Sequence, residues 1–135
     1  MDEEWKLMQD KATHVLSRAY VPYSHRAVTA VLHTPTGRMF SGVNVENSSF
    51  GLTICAERVA LFHAVTHGER RFDRILVYVK ANGVFAPCGA CRHVLSEFSL
   101  NMEVGLSDDT GEIRFYDLSN LIPLRTSVLE ANSCE

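Results

Sequence analysis

Trp5, Met8, Ala12, Val15, Leu16 and Ala19 recur at the three- and four-residue spacing of one helix face, and the positions between them are mostly polar or charged. The pattern predicts an amphipathic first helix with Asp2 as its cap. Tyr20-Val21-Pro22-Tyr23-Ser24 ends it, because proline restricts the residue before it and has no backbone N–H to donate. Val28 to Leu32 and Met39 to Val45 predict two strands around the turn Thr34-Pro35-Thr36-Gly37. From about Cys55 to His67 a second helix carries Ala56, Val59, Ala60, Leu61, Phe62, Ala64 and Val65 around most of its circumference, which predicts a largely buried element closed by Gly68.

The continuous apolar run Ile75 to Val79 predicts a central strand covered on both faces. Pro87 is expected in the first turn of a third helix whose Cys91, Val94, Leu95 and Phe98 share one face. Met102, Val104 and Leu106 alternate as a strand, and Ser107-Asp108-Asp109-Thr110-Gly111 turns it into a last strand, Ile113 to Tyr116. Helices placed between strands require crossover connections and cover both sheet faces. The expected fold is therefore a single α/β domain over residues 1–135, a three-layer α/β/α sandwich around a mixed five-stranded sheet.

Composition narrows the partners. A length of 135 residues suffices for one core without disulfide staples. The net charge of -3 offers no basic face for a phosphate backbone, and Arg70, Arg71 and Arg74 are interleaved with Glu69 and Asp73. A small molecule is expected as partner rather than a nucleic-acid polymer. No window reaches the roughly 18–20 apolar residues of a membrane span. The acidic start Met1-Asp2-Glu3-Glu4-Trp5 lacks the basic and apolar regions of a signal peptide, so the expected compartment is the cytoplasm. In that reducing environment the four cysteines read as metal ligands or catalytic thiols rather than disulfides.

The cysteines stand at helix starts. Cys55-Ala56-Glu57 opens the second helix and Pro87-Cys88-Gly89-Ala90-Cys91 the third. A helix N-terminus carries partial positive charge and unpaired N–H groups, which favour the thiolate that zinc needs. Cys88 and Cys91 can grip one ion together, and Cys55 from the neighbouring helix adds a third ligand that leaves one tetrahedral position open. Three thiolates on Zn²⁺ leave net negative charge, which weakens the acidification of a bound water. A neighbouring carboxylate, Glu57, is then needed to move the proton, and Arg58 can offset the excess charge by donating to a ligand sulfur. Two other readings remain open at this stage: a thioredoxin-type redox pair, Cys88 with Cys91, and a structural four-cysteine zinc site that includes Cys134. The redox pair leaves Cys55, Glu57 and Arg58 without a role, and the four-cysteine site lacks a second C-x-x-C knuckle.

Cys55-Ala56-Glu57 followed by Pro87-Cys88-Gly89-Ala90-Cys91 resembles the signature of zinc nucleoside deaminases. The stretches Val21-Pro22-Tyr23-Ser24-His25, Gly42-Val43-Asn44-Val45-Glu46-Asn47 and Gly51-Leu52-Thr53-Ile54, with Arg58 and Arg92 after the two cysteine motifs, are similar more narrowly to the small homotetrameric cytidine deaminases. The resemblance runs from about Trp5 to Pro123. It implies Cys55, Cys88 and Cys91 as zinc ligands, Glu57 as proton shuttle, Asn44 and Glu46 on the ribose hydroxyls, and the Ala56 backbone at the pyrimidine edge. It also implies a homotetramer, a role in pyrimidine salvage, and hydrolytic replacement of the exocyclic amine at C4 of cytidine, deoxycytidine or a related nucleoside.

The chain departs from that family where the base is expected. Arg26 stands at a phenylalanine position, Thr29 at a glycine, His93 at a glutamine, and Thr126 where an aromatic residue reaches the base of a neighbouring subunit. Each aromatic contact is worth on the order of 1 kcal/mol. Arg26 would add a fork of donors suited to a carboxylate or carbonyl. These exchanges raise the expectation of a substituted or anionic cytosine nucleoside, as in the blasticidin-type deaminases, which share the zinc motif. Outside enzymes, the alternatives are a thiol redox protein or a zinc-containing nucleoside-binding module.

Overall fold

A computed structural model describes residues 2–80 and 86–122. Helix α1 spans Glu3–Val15, strands β1 and β2 Val28–His33 and Met39–Val43, α2 Ala56–Thr66, β3 Arg74–Val79, α3 Gly89–Ser96, β4 Glu103–Ser107 and β5 Ile113–Asp117. The strands form one five-stranded sheet in the order β2-β1-β3-β4-β5. Only the β3–β4 pair, joined through α3, is parallel; the other three pairs are antiparallel.

Alternation along the central strands divides the core into two layers. Ala30, Leu32, Ile75 and Val77 pack with Ala56, Ala60, Leu61 and Ala64 of α2 and Leu95 of α3. Val31, Leu76 and Tyr78 project to the opposite face and meet Trp5, Met8 and Ala12 of α1. The three-layer sandwich expected from the sequence is thus the fold observed.

Two glycines set the separation of the layers. A Cβ on Gly42 of β2 would lie 2.3 Å from the Ala60 nitrogen and 2.5 Å from the Ala56 oxygen, so the α2 backbone rests directly on the strand. A Cβ on Gly105 of β4 would meet the Trp5 ring at 2.7 Å, so that glycine makes room for the α1 indole. Asp2 caps α1 as expected, accepting from the Trp5 N–H at 3.1 Å.

Several expectations are corrected. The first helix ends at Val15 and passes into a 3₁₀ turn, Leu16–Arg18. The second strand stops at Val43, and Val45 forms isolated bridges to Tyr20 and Ile54. α2 is not buried all round: Ala56, Ala60, Leu61 and Ala64 face the sheet, while Phe62 remains 50 % exposed because no described element covers its side of the helix. Pro87 lies one residue before the N-cap, Cys88, rather than in the first turn. α3 ends at Ser96, and Phe98 beyond it still packs edge-on against Phe72, ring centres 5.8 Å apart.

Candidate metal centre and adjoining cavity

The crossover topology brings the N-termini of α2 and α3 together. Cys55 is the N-cap of α2 and Cys88 the N-cap of α3, and both have extended backbone conformations. The Cys88 Sγ accepts from the Cys91 N–H at 3.5 Å, which holds that thiol over the first turn of α3. The Sγ atoms of Cys55, Cys88 and Cys91 all lie within 4.8 Å of one another, and the Cys55–Cys88 separation is 3.7 Å. Sulfurs on a tetrahedral zinc at about 2.3 Å stand about 3.8 Å apart. The donor set and its spacing therefore fit zinc. Cys91 is buried and Cys88 exposed, so the cluster opens to one side.

The electrostatics favour thiolate at Cys55. Its proton affinity is lowered by a hydrogen bond from Cys91, with further help from Arg58 and Cys88. Cys91 is shifted the opposite way, chiefly because it is the donor in that bond and is also buried. The Arg58 Nη2 donates to the Cys55 Sγ at 3.7 Å. Glu57, one residue into α2, is only 2 % exposed, and burial pushes its carboxyl up to about 7. The charge on Cys55 adds to that rise, and the Arg58 guanidinium opposes it. A carboxyl held near neutrality is suited to both taking and giving a proton.

Glu57, Cys55 and Cys88 line a cavity of about 230 Å³. Val28, Ala56 and Ala86 supply apolar walls, and Asn44 and Thr53 supply polar groups. A more open depression of about 460 Å³ at Gly111, Glu112, Ile113 and Phe115 lacks a comparable convergence of chemistry.

Asn44 and Glu46 occupy a more demanding environment than a solvated strand end. Asn44 Oδ1 accepts from the Val28 N–H at 2.9 Å, and its Nδ2 donates to the Arg26 carbonyl at 2.9 Å. The Glu46 carboxylate accepts from the Tyr23 and Ser24 N–H groups, each at 3.1 Å, and from the Ser24 hydroxyl. These bonds, the Ser24 hydroxyl first among them, hold its carboxyl below the usual carboxylate range. Together the two side chains staple the Tyr20–Arg26 loop to the β2–α2 connection. Asn44 reaches the cavity wall; Glu46 is not among its lining residues.

Other positions singled out by the sequence lie apart. Arg26 is exposed and does not line the cavity. Thr29 is fully buried on the α1 side of the sheet, and His93 is exposed on α3. Thr126 and Cys134 lie outside the described residues. Sequence reasoning missed Thr53 and Ala86 as wall residues, although Thr53 stands two residues before Cys55. It also missed Arg92 as a brace, whose Nε donates to the Pro87 carbonyl at 2.7 Å and Nη1 to the Leu121 carbonyl at 3.1 Å.

Comparison with known proteins bears on this site. Residues 2–105 match the family model described as the cytidine and deoxycytidylate deaminase zinc-binding region. A cytidine deaminase of Sporosarcina psychrophila is 40% identical over 124 residues, 91% of this chain and 90% of the relative. The crystal structure of cytidine deaminase from Burkholderia pseudomallei superposes with a TM-score of 0.86 at 40% identity, covering 93% of this chain and 100% of the other. A blasticidin-S deaminase of Bacillus cereus is more distant, 30% identical over 122 residues, 84% of this chain and 86% of the relative.

Proposed function

The chain belongs to the family of the cytidine and deoxycytidylate deaminase zinc-binding region, and from that premise we propose that it hydrolyses the exocyclic amine of cytidine or deoxycytidine, yielding the uracil nucleoside and ammonia. The observation that carries the reading is a buried carboxyl, Glu57, raised to about 7 beside three convergent thiols, in the lining of a nucleobase-sized cavity. Zinc, which Cys55, Cys88 and Cys91 would hold, supplies the Lewis acidity that lets a water ionise near neutral pH. Glu57 would accept one proton of that water and pass it to the ring nitrogen next to C4, then take the remaining proton from the oxygen that has bonded to C4 and give it to the departing amine. One carboxyl serves both steps because the single attacking water supplies both protons in turn. Arg58 offsets the excess negative charge of three thiolates, as its hydrogen bond to Cys55 supports.

Asn44 retains one amide hydrogen beyond the bond to the Arg26 carbonyl, which is available to a ribose hydroxyl at the cavity wall. Glu46 completes the ribose site and holds the loop above it. Ala56, in the first turn of α2, offers an N–H without an intrahelical partner to the pyrimidine edge. The exposed position of Arg26 favours an unsubstituted cytosine nucleoside over the anionic substrate suggested by the sequence.

The homotetramer belongs to the same proposal. Phe50 at 75 %, Leu52 at 65 % and Phe62 at 50 % exposure leave apolar surface on the α2 side that self-association would cover. Light scattering at micromolar concentration is expected to return four chains; a monomer contradicts it. The cytoplasm and pyrimidine salvage are the proposed setting, in keeping with neighbouring free thiols; no helix among the described residues is long and apolar enough to cross a membrane.

The test of the catalytic assignment is Glu57→Gln, with zinc content and ammonia release from cytidine measured on one sample. The amide is expected to keep the metal and lose nearly all turnover. Substantial turnover with zinc bound would overturn the role of Glu57. Zinc binding without hydrolysis of any cytosine nucleoside by the unsubstituted protein would point to a binding module instead.

A further inference from the structure

α2 carries a second set of ligand-type side chains at the end remote from the cysteines. His63 and His67 lie 8 and 12 positions beyond Cys55, about 12–18 Å along the helix axis, and both are exposed. Each ring is anchored through Nδ1, His63 to the Ser41 carbonyl at 3.0 Å and His67 to the His63 carbonyl at 2.9 Å. A carbonyl oxygen only accepts, so Nδ1 carries the hydrogen in both rings. In the neutral imidazole Nε2 then holds the lone pair. That is the tautomer in which histidine binds a metal through Nε2 while an outer carbonyl fixes the ring.

The spacing of these edge-on rings is wide enough to admit one shared ion. The ring centres are 4.8 Å apart with planes at 73°. Two imidazoles bound at about 2.1 Å through Nε2 hold their centres about 4.5 Å apart at a right angle and about 5.2 Å apart at a tetrahedral angle. The observed value falls between them. Phe40, buried beneath, touches both rings at 5.4 and 5.5 Å and limits their movement. His67 is also the C-cap of α2, where the partial negative charge of the helix end favours a cation. Arg38, a like charge for such an ion, lies over the Phe40 ring at 5.0 Å and is paired with Glu69 at 2.6 Å.

We propose that His63 and His67 form an accessory site for a divalent transition-metal ion with a preference for imidazole, separate from the cysteine cluster. Nickel is a suitable probe, because it favours imidazole and does not oxidise thiols as copper does.

The test is calorimetric titration of the zinc-loaded, untagged protein with Ni²⁺, with zinc release followed in parallel. One Ni²⁺ per chain is expected to bind without zinc release. His63→Gln and His67→Gln should each weaken binding by at least about tenfold, since either change removes one arm of the chelate, whereas His14→Gln on α1 should not. In the unsubstituted protein, Ni²⁺ should also slow modification of His63 and His67 by diethyl pyrocarbonate, read residue by residue by mass spectrometry. Equal Ni²⁺ affinity in the two variants, unprotected histidines, or Ni²⁺ uptake matched by zinc release would each overturn the proposal.

Discussion

Gly42→Ala tests how the sheet positions the metal centre. The added Cβ would stand 2.3 Å from the Ala60 nitrogen and 2.5 Å from the Ala56 oxygen, whereas ordinary contact begins at 3.4 Å. Both obstructing atoms are backbone, so no side chain can swing aside, and α2 must retreat by about 1 Å or β2 must bend. Overpacking of this kind costs about 1–3 kcal/mol, and a backbone clash belongs at the upper end, lowering Tm by on the order of 10 °C in a domain of this size. The same retreat carries Cys55 with α2. Its Sγ, now 3.7 Å from that of Cys88, would leave the separation of about 3.8 Å that sulfurs on one tetrahedral zinc keep, which strains the site. Competition with a chromogenic chelator reports the zinc affinity, and urea unfolding reports the loss of stability, to which weakened zinc binding also contributes. Gly51→Ala is the control, because nothing lies within 4 Å of its added Cβ. Unchanged stability and zinc affinity in Gly42→Ala would refute the reasoning that strand contact sets the position of Cys55.

Arg58→Gln removes the cationic donor at 3.7 Å from the Cys55 sulfur and is expected to lower zinc affinity about 10- to 100-fold, measured by the same competition. Arg26→Phe should change kcat/KM for cytidine by less than about threefold, because Arg26 is outside the cavity lining; a gain of tenfold or more would put its side chain at the base. Asp2 has its carboxyl held below the usual range, first by the Trp5 N–H and then by Arg74. The stabilisation from its charge is therefore present above the unfolded pKa and lost as pH falls through the folded one. Urea midpoints of the unsubstituted protein and Asp2→Asn should differ near neutral pH and converge as Asp2 protonates; a gap that persists there contradicts the assignment.

Local chemistry made much of the protein legible in its sequence. The period of Trp5, Met8 and Ala12, the alternation within β1 and β3, and Asp2 before the first apolar turn report backbone geometry that neighbouring residues set among themselves. Cys55, Cys88 and Cys91 were legible for a related reason: thiols at two helix starts, two of them three residues apart, already suggest ligands of one ion. Tertiary structure alone decided what depends on partners distant in the chain. The sheet order that places β1 between β2 and β3, and the half-exposed Phe62 on a helix of mostly apolar sequence, follow from which surfaces meet. Burial is likewise nonlocal: Glu57 has its proton affinity raised by everything packed around it, a property absent from its letter or its neighbours. Asn44 and Glu46 show the same division. Their polarity was visible in the chain, but their bonds to Val28, Tyr23 and Ser24 arise only when the first loop folds back across the segment that follows β2.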